Sequence, residues 1–254
     1  MEWTSKEMMA VALARCIENG KTYIVGTGLP LIGGALAKNT HAPHARLLFE
    51  SGIIEGDPLE VPTSVSDLRI CHGASVLWPQ FRYFGLETIE TNRGSIAGGF
   101  LGGAEIDPYG NLNSTSIGDY WKPTTRFSGS GGANGISTYC DTFIVMKHQK
   151  RRFSEHVDYI TSPGWIDGPE GRRKNGLNPD KGPRAVVTEL GIMRFNENKR
   201  MYLSEYFEGV TPEQVQDNTG FDIDISKAHL AKPPSQEELS ILREKVDPKG
   251  LMTR

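Results

Sequence analysis

Glu50 follows the apolar run 45–49 and precedes the small, permissive pair Ser51 and Gly52. In open α/β sheets ligands gather beyond the carboxyl ends of the strands, so a carboxylate placed there is aimed at a cleft and can act as a nucleophile. Position alone equally allows Glu50 to cap the next turn or helix. A second stretch, residues 129–135, reads Gly-Ser-Gly-Gly-Ala-Asn-Gly. Its glycines let backbone N–H groups approach a ligand and face a developing negative charge, which is oxyanion-hole chemistry; the plain alternative is a tight turn.

Three further stretches point less directly at chemistry. Gly26-Thr27-Gly28-Leu29-Pro30 begins like a dinucleotide fingerprint, but Leu31 stands where the third glycine belongs, and no Lys-Ser/Thr pair follows as in a phosphate-binding loop. Neither nicotinamide nor nucleoside triphosphate binding is supported, which leaves a packed turn near a site. The string 102–113 combines a Pro-Tyr-Gly turn with Asn111 and Asn113, whose amides can fix loop backbone, and so reads first as a structural turn. The run Lys147-His148-Gln149-Lys150-Arg151-Arg152 is either an attractor of cofactor phosphates or, more commonly, a solvated face. His41 and His44, and His72 beside Cys71, come with no HExxH or carboxylate cluster, so no metal is expected.

The elements that must position these groups follow from periodicity and caps. Thr4 and Glu7 form a capping-box pattern, Met9, Leu13, Cys16 and Ile17 share a helical face, and Gly20 marks the end of that helix. A buried strand at 23–25, the turn at 26–28 and a small-residue helix at 30–38 give a β-turn-α start, and the strand 45–49 runs straight into Glu50. From Arg93 to Gly135 the composition shifts to Gly, Ser, Asn and Thr, yet Ile96, Phe100, Leu101, Ile106, Leu112 and Ile117 recur within it. Flexible linkers lack such residues, so loops lying over a sheet are expected. Strands at 185–188 and 192–195 flank Leu190-Gly191, Thr211 to Gln214 and Ser235 with Glu238 open two short helices, and Pro233-Pro234 introduces a C-terminal appendage. Alternating strands and helices make the class α/β.

The bulk numbers exclude other classes. The 254 residues suffice for a substantial core, 37% are hydrophobic, and no apolar run approaches the roughly 20 residues that span a bilayer. With 28 Lys and Arg against 31 Asp and Glu, nothing draws nucleic acid electrostatically. Cys16, Cys71 and Cys140 are odd in number and widely spaced, which fits neither a disulfide framework nor a zinc pair, and residues 1–4 do not open a secretory signal. A cytoplasmic protein without a membrane partner is expected.

Taken in order, GTGLPLIGG, FESG, FLGGAEIDPYGNLNSTSIGDY, TRFSGSGGANGI, TSPGWIDGP and DPKG resemble the class I coenzyme A transferases, most of all beta subunits of the glutaconate CoA-transferase type, over about residues 6–249. The resemblance implies a three-layer α/β fold with a mixed, mainly parallel sheet, one domain over 1–254, with 1–230 as core and 231–254 as a short helical appendage. It implies a partner alpha subunit, in a heterodimer or heterotetramer, with the active site at the interface. It assigns Glu50, in the E-[SN]-G motif, as the catalytic nucleophile and Gly131, Gly132 and Ala133 as the oxyanion and acyl-CoA-binding loop, with Gly28, Ser51, Glu105 and Asn134 lining the site. The implied reaction moves CoA between an acyl-CoA and a carboxylic acid by a ping-pong route through a glutamyl-CoA thioester. A CoA thioester is its substrate, and no cofactor is held permanently.

Glu105 stands in the GGAEID string where an amide is expected from the glutaconate enzymes, so a carboxylate there would repel a dicarboxylate or act as a base. The alternative on the same scaffold is a CoA-thioester or carbon-carbon bond hydrolase or a decarboxylase acting on a ring-derived acyl-CoA, with Glu50 as a base or bystander. A third reading, from a different class, is a non-catalytic regulatory subunit whose glycine loops close on a nucleotide. Release of CoA without an acceptor acid separates the hydrolase from the transferase, and covalent labelling of Glu50 excludes the regulatory subunit.

Overall fold

The computed structural model describes residues 2–58, 60–64, 67–79 and 95–254. Arg93 and Gly94, which begin the Gly/Ser/Asn/Thr-rich stretch, lie outside them. Backbone contacts group the chain into two compact units, Met1–Phe100 with Lys232–Arg254, and Leu101–Ala231. Each is α/β with strands paired both parallel and antiparallel. Among the described residues no helix is long and apolar enough to cross a membrane.

The first unit opens with helix α1 (Ser5–Ala14), whose capping box forms as its sequence requires. Thr4 Oγ1 accepts the Glu7 N–H at 3.1 Å and Glu7 Oε2 accepts the Thr4 N–H at 2.9 Å. The helix stops earlier than Gly20, because Cys16 and Ile17 donate to Leu13 and Ala14 and tighten the last turn. Every residue from Glu7 to Ala14 is buried, so α1 is covered on more than the one expected face. Part of the covering is the C-terminal segment: Arg243 Nε lies 2.7 Å from Glu7 Oε1, Thr4 Oγ1 donates to Thr253 O, and Arg15 pairs with Glu238 at 2.8 Å. The Arg243 guanidinium holds the buried Glu7 carboxyl below the ordinary carboxylate range. Of residues 231–254, expected as an appendage, Lys232–Arg254 include the helix Gln236–Ile241 and group with the first hundred residues.

After α1 come strand β1 (Thr22–Ile24), helix α2 (Leu29–Lys38) and strand β2 (Arg46–Phe49). Gly33 and Gly34 let α2 lie directly on Leu13 and Leu47. Next are β3 (Ile53–Ile54), β4 (Val76–Leu77) and β5 (Gly98–Leu101). β1 pairs in parallel with β2 and with β5, while β2–β3 and β3–β4 are antiparallel.

In the second unit the glycine-rich stretch folds into two short antiparallel ribbons, β6 (Glu105–Ile106) with β7 (Leu112–Asn113) and β8 (Ser116–Ile117) with β9 (Thr125–Arg126). Helix α3 (Ala133–Tyr139) leads into β10 (Asp141–Val145), and the short helix α4 (Gly171–Lys174) precedes β11 (Pro183–Val187). β11 pairs in parallel with β10 and antiparallel with β12 (Gly191–Phe195), which continues antiparallel to β13 (Met201–Tyr206). Thr211 and Gln214 form the capping box of α5 (Pro212–Asp217) as their spacing predicts.

The basic run 147–152 is not one solvated face. Lys147, Lys150 and Arg151 are exposed, but His148 is 4% exposed, its ring stacked on Phe153 at 4.0 Å with Nδ1 3.1 Å from Thr188 Oγ1 and Nε2 3.0 Å from Thr219 Oγ1. Burial pushes the imidazole down to about 4 from its ordinary 6.5. The unfolded chain therefore takes up the proton first as pH falls, so the stability contributed by neutral His148 is complete above about 6.5 and is lost on descending toward 4. The expected loss is about 3 kcal/mol. Urea unfolding at pH 7.5 and pH 4.5 should show a smaller acid loss in His148→Gln than in the parent, whereas equal losses would contradict the buried neutral ring.

Candidate active site

Glu50 is the first residue of the connection between β2 and β3. Phe49 and Ile53 are register partners, so residues 50–52 form the turn of a β-hairpin, closed by the Gly52 N–H donating to Phe49 O at 2.9 Å. A hairpin, not the cap of a following helix, therefore carries the carboxylate, and Glu50 is half-buried at its tip. Gly52 has φ +89°, a conformation that favours glycine, and a Cβ there would overlap the carbonyl oxygen of Trp78. The same Gly52 receives the Trp78 N–H at 2.9 Å through its own carbonyl, so β4 holds the turn from the side. Between the two, the Ser51 Oγ is buried and has no hydrogen-bond partner among the described residues. Buried hydroxyls are normally paired, so the unpaired Ser51 Oγ beside the half-buried Glu50 calls for a partner that a bound ligand or water would supply.

Gly28, in the same unit, is the residue preceding α2, with φ +82° and no side-chain cap. A cavity of about 510 Å³ in this unit is lined by Leu31, Ile32, Glu55, Asp57, Val61 and Lys245, among others, and not by Glu50 or Ser51. Volume alone does not point to Glu50.

In the second unit, residues 129–135 form a loop that enters α3. Gly131 is exposed with φ +51°, and its N–H donates to no acceptor among the described residues. Ala133 differs from expectation, because its N–H is turned to Ser130 O at 2.9 Å. Gly132 is buried at the start of the helix. Asn134 is exposed, but its Nδ2 donates to Thr161 O at 3.0 Å.

Glu105 is 7% exposed and faces inward. Its Oε2 accepts from Asn113 Nδ2 at 2.6 Å and from the Asp158 N–H at 3.1 Å, so this carboxylate is held by the loop structure of its own unit. Asn113 is fully buried and uses both halves of its amide: Nδ2 also donates to Ser116 O, while Oδ1 accepts the N–H groups of Thr115 and Ser116. Asn111 does the same work one turn earlier, bonding Asp107 and the backbone of Gly164 and Ile166. Burial pushes the Asp107 carboxyl up to about 6, against the lowering effect of bonds from Asn111 and the Tyr109 N–H. The strings DPYGNLN and TSPGWIDGP are thus two halves of one interlocked structure: Trp165 N donates to Tyr109 O and Leu112 N to Ser162 O.

Two residues that spacing did not single out matter here. Arg172 on α4 is wholly buried and reaches Ser137 O and Thr138 O of α3 as well as Pro163 O, Gly164 O and Asn178 O. Thr161 connects the glycine loop to β7. Only membership of the TSPGWIDGP string hinted at Thr161, and one arginine of the run Arg172-Arg173-Lys174 gives no such signal.

A family model described as coenzyme A transferase matches residues 6–218. The chain is 52% identical over 248 residues to the B subunit of glutaconate CoA-transferase from Acidaminococcus fermentans, covering 97% of this chain and 93% of that protein. It is 37% identical over 247 residues to the B subunit of 3-oxoadipate CoA-transferase from Pseudomonas knackmussii, covering 95% and 92%. The crystal structure of glutaconate coenzyme A-transferase from Acidaminococcus fermentans matches with a TM-score of 0.95 at 51% identity, covering 100% of this chain and 98% of that one.

Proposed function

The chain belongs to the coenzyme A transferase family, and we propose that it is the subunit supplying the nucleophile, Glu50, to an enzyme that moves CoA from an acyl-CoA to a dicarboxylic acid. The observation that carries this reading is the hairpin tip itself: a half-buried carboxylate on a turn locked by Gly52, beside a buried Ser51 hydroxyl without a partner among the described residues. The names of the two relatives, which specify glutaconate and 3-oxoadipate, support a dicarboxylate as the acid.

The reaction proceeds in two symmetrical halves. A Glu50 carboxylate oxygen attacks the thioester carbonyl, and the carbon-sulfur bond breaks to give an acyl-glutamyl anhydride and a CoA thiolate. The thiolate attacks the glutamyl carbonyl, releasing the donor acid as carboxylate and leaving a glutamyl-CoA thioester. An acceptor carboxylate then attacks that thioester, and the liberated thiolate attacks the acyl carbonyl of the new anhydride, restoring Glu50. Each attack passes through a tetrahedral oxyanion. Donors in the glycine loop, the exposed Gly131 N–H foremost, stabilise it by about 10²-fold or more in rate. CoA enters as substrate and leaves in product.

A thioester exchanged with an acid must be kept from water. We assign that role to a partner alpha subunit, in keeping with the names of both relatives, each of which is one subunit of its enzyme. On the β8–β9 hairpin, which leads into the glycine loop, Trp121 is 86% exposed and packs edge-on against Tyr120. Exposed aromatics of this kind favour a protein partner.

The test is acceptor dependence. The co-expressed complex, given glutaconyl-CoA and a second dicarboxylate, should form the acceptor's CoA thioester and release little free CoA when the acceptor is omitted. Steady CoA release without an acceptor would establish a hydrolase and overturn the proposal.

A further inference from the structure

The glycine loop 130–133 is fastened at both ends to the same layer of chain. At its start, the Gly129 N–H donates to Ser114 O at 3.0 Å and Ser114 Oγ donates to Gly129 O at 3.2 Å. At its far end Asn134 Nδ2 donates to Thr161 O. Thr161 also joins the two anchors. Its Oγ1 accepts the Ser114 N–H at 2.9 Å and lies 2.7 Å from Thr115 Oγ1, while its own N–H donates to Leu112 O at 2.8 Å. Thr115 accepts the Phe127 N–H at 2.9 Å and donates its own to Asn113 Oδ1, which ties the arrangement to the buried Glu105–Asn113 pair. Thr161 is 5% exposed, so its hydroxyl serves these partners and not solvent.

We infer that Thr161 is a positioning residue for CoA transfer: its hydroxyl and carbonyl fix both ends of the glycine loop, so that the loop's N–H donors stand where the oxyanion forms. The inference rests on the reading of that loop as the oxyanion-stabilising element. Thr161 touches no reacting atom and acts through Ser114 and Asn134. Its physical basis is the steep dependence of rate on geometry, since donors misplaced by about 1 Å cost on the order of 10²-fold.

Three variants of the co-expressed complex test it. Thr161→Val keeps the β-branched shape and deletes the hydroxyl; kcat should fall about 10- to 100-fold, with the KM for acyl-CoA changed less than about threefold. Thr161→Ser restores the hydroxyl and should stay within about threefold of the parent. Asn134→Ala frees the far end of the loop from the surface and should lower kcat about tenfold without disturbing the interior. All assays are run well below each variant's measured melting temperature. A Thr161→Val enzyme with parental kcat, or a Thr161→Ser enzyme as impaired as Thr161→Val, would overturn the inference. The rate at which the glutamyl-CoA adduct forms on Glu50, read as the borohydride-reduced Glu50 alcohol, separates it from the reading beneath it. No adduct in the parent removes the transferase mechanism itself. An adduct forming equally fast in the parent and in Thr161→Val removes only the positioning role.

Discussion

Replacing Glu50 by glutamine is expected to reduce CoA transfer by about 10⁴-fold or more, while the complex assembles and melts as the parent does. Glutamine has nearly the same shape, so the hairpin turn between Phe49 and Ile53 stays intact. What is lost is the carboxylate: an amide oxygen cannot form the anhydride, and an amide cannot become the glutamyl-CoA thioester. At a half-buried turn the stability change should stay within about 0.5 kcal/mol. Glu50→Asp keeps the charge but withdraws it by about one carbon-carbon bond, and should retain about 1% of the rate, in line with the sensitivity of attack to about 1 Å. Steady-state transfer rates with saturating donor and acceptor decide the matter. A glutamine variant retaining more than a few per cent of parental kcat would assign the nucleophile elsewhere.

The largest effect on stability is expected at Arg172. Its five guanidinium bonds all end on backbone carbonyls, two from α3 and three from residues 163, 164 and 178, and the side chain is wholly buried. Burial lowers its pKa only to about 10, so it remains a cation at neutral pH. Arg172→Met fills most of the same space but leaves these carbonyls without donors where water does not reach them. The expected cost is about 3–5 kcal/mol, or roughly 10 °C in melting temperature. The neighbouring Arg173 is the control: it is exposed and among the described residues pairs only with Glu170, at 3.5 Å, so Arg173→Met should cost less than about 1 kcal/mol. Equal melting temperatures for the two variants would show that the buried network contributes nothing.

These two arginines also show where the sequence stops being readable. They are adjacent and identical, and nothing in local pattern says that one is buried against five carbonyls while the other faces water. The same holds for His148, whose basic neighbours disguise a buried neutral ring. What was legible depends on short-range rules. The capping boxes at Thr4, Thr211 and Ser235 form because the cap and its partner are three residues apart and need no tertiary help. The reading of Asn113 as a backbone-fixing amide held for the same reason, since it bonds Ser116 O three residues on, whereas Asn111 fixes backbone at Gly164 and Ile166, beyond the reach of any local rule. The α/β class followed from alternation, and the coenzyme A transferase family from several rare strings in one order.

The site was legible in part. The apolar run into Glu50 predicted a strand end, and the structure has one, but the turn that follows is a hairpin whose geometry depends on Trp78, 26 residues farther along. Glycine content marked the loop 129–135. It could not show that Ala133 turns its N–H to Ser130, or that Thr161 fastens Asn134 from 27 residues away. Nor could composition say that Glu105 points into its own unit toward Asn113. Each of these is a long-range contact, set by which loops the fold stacks together.

The measurement that bears most directly on the central claim is mass spectrometry of the co-expressed complex after incubation with acyl-CoA and borohydride, which reduces a glutamyl thioester. A mass change confined to the peptide containing Glu50 and absent from Glu50→Gln is expected. An unmodified Glu50 in an enzyme that is turning over acyl-CoA would contradict it.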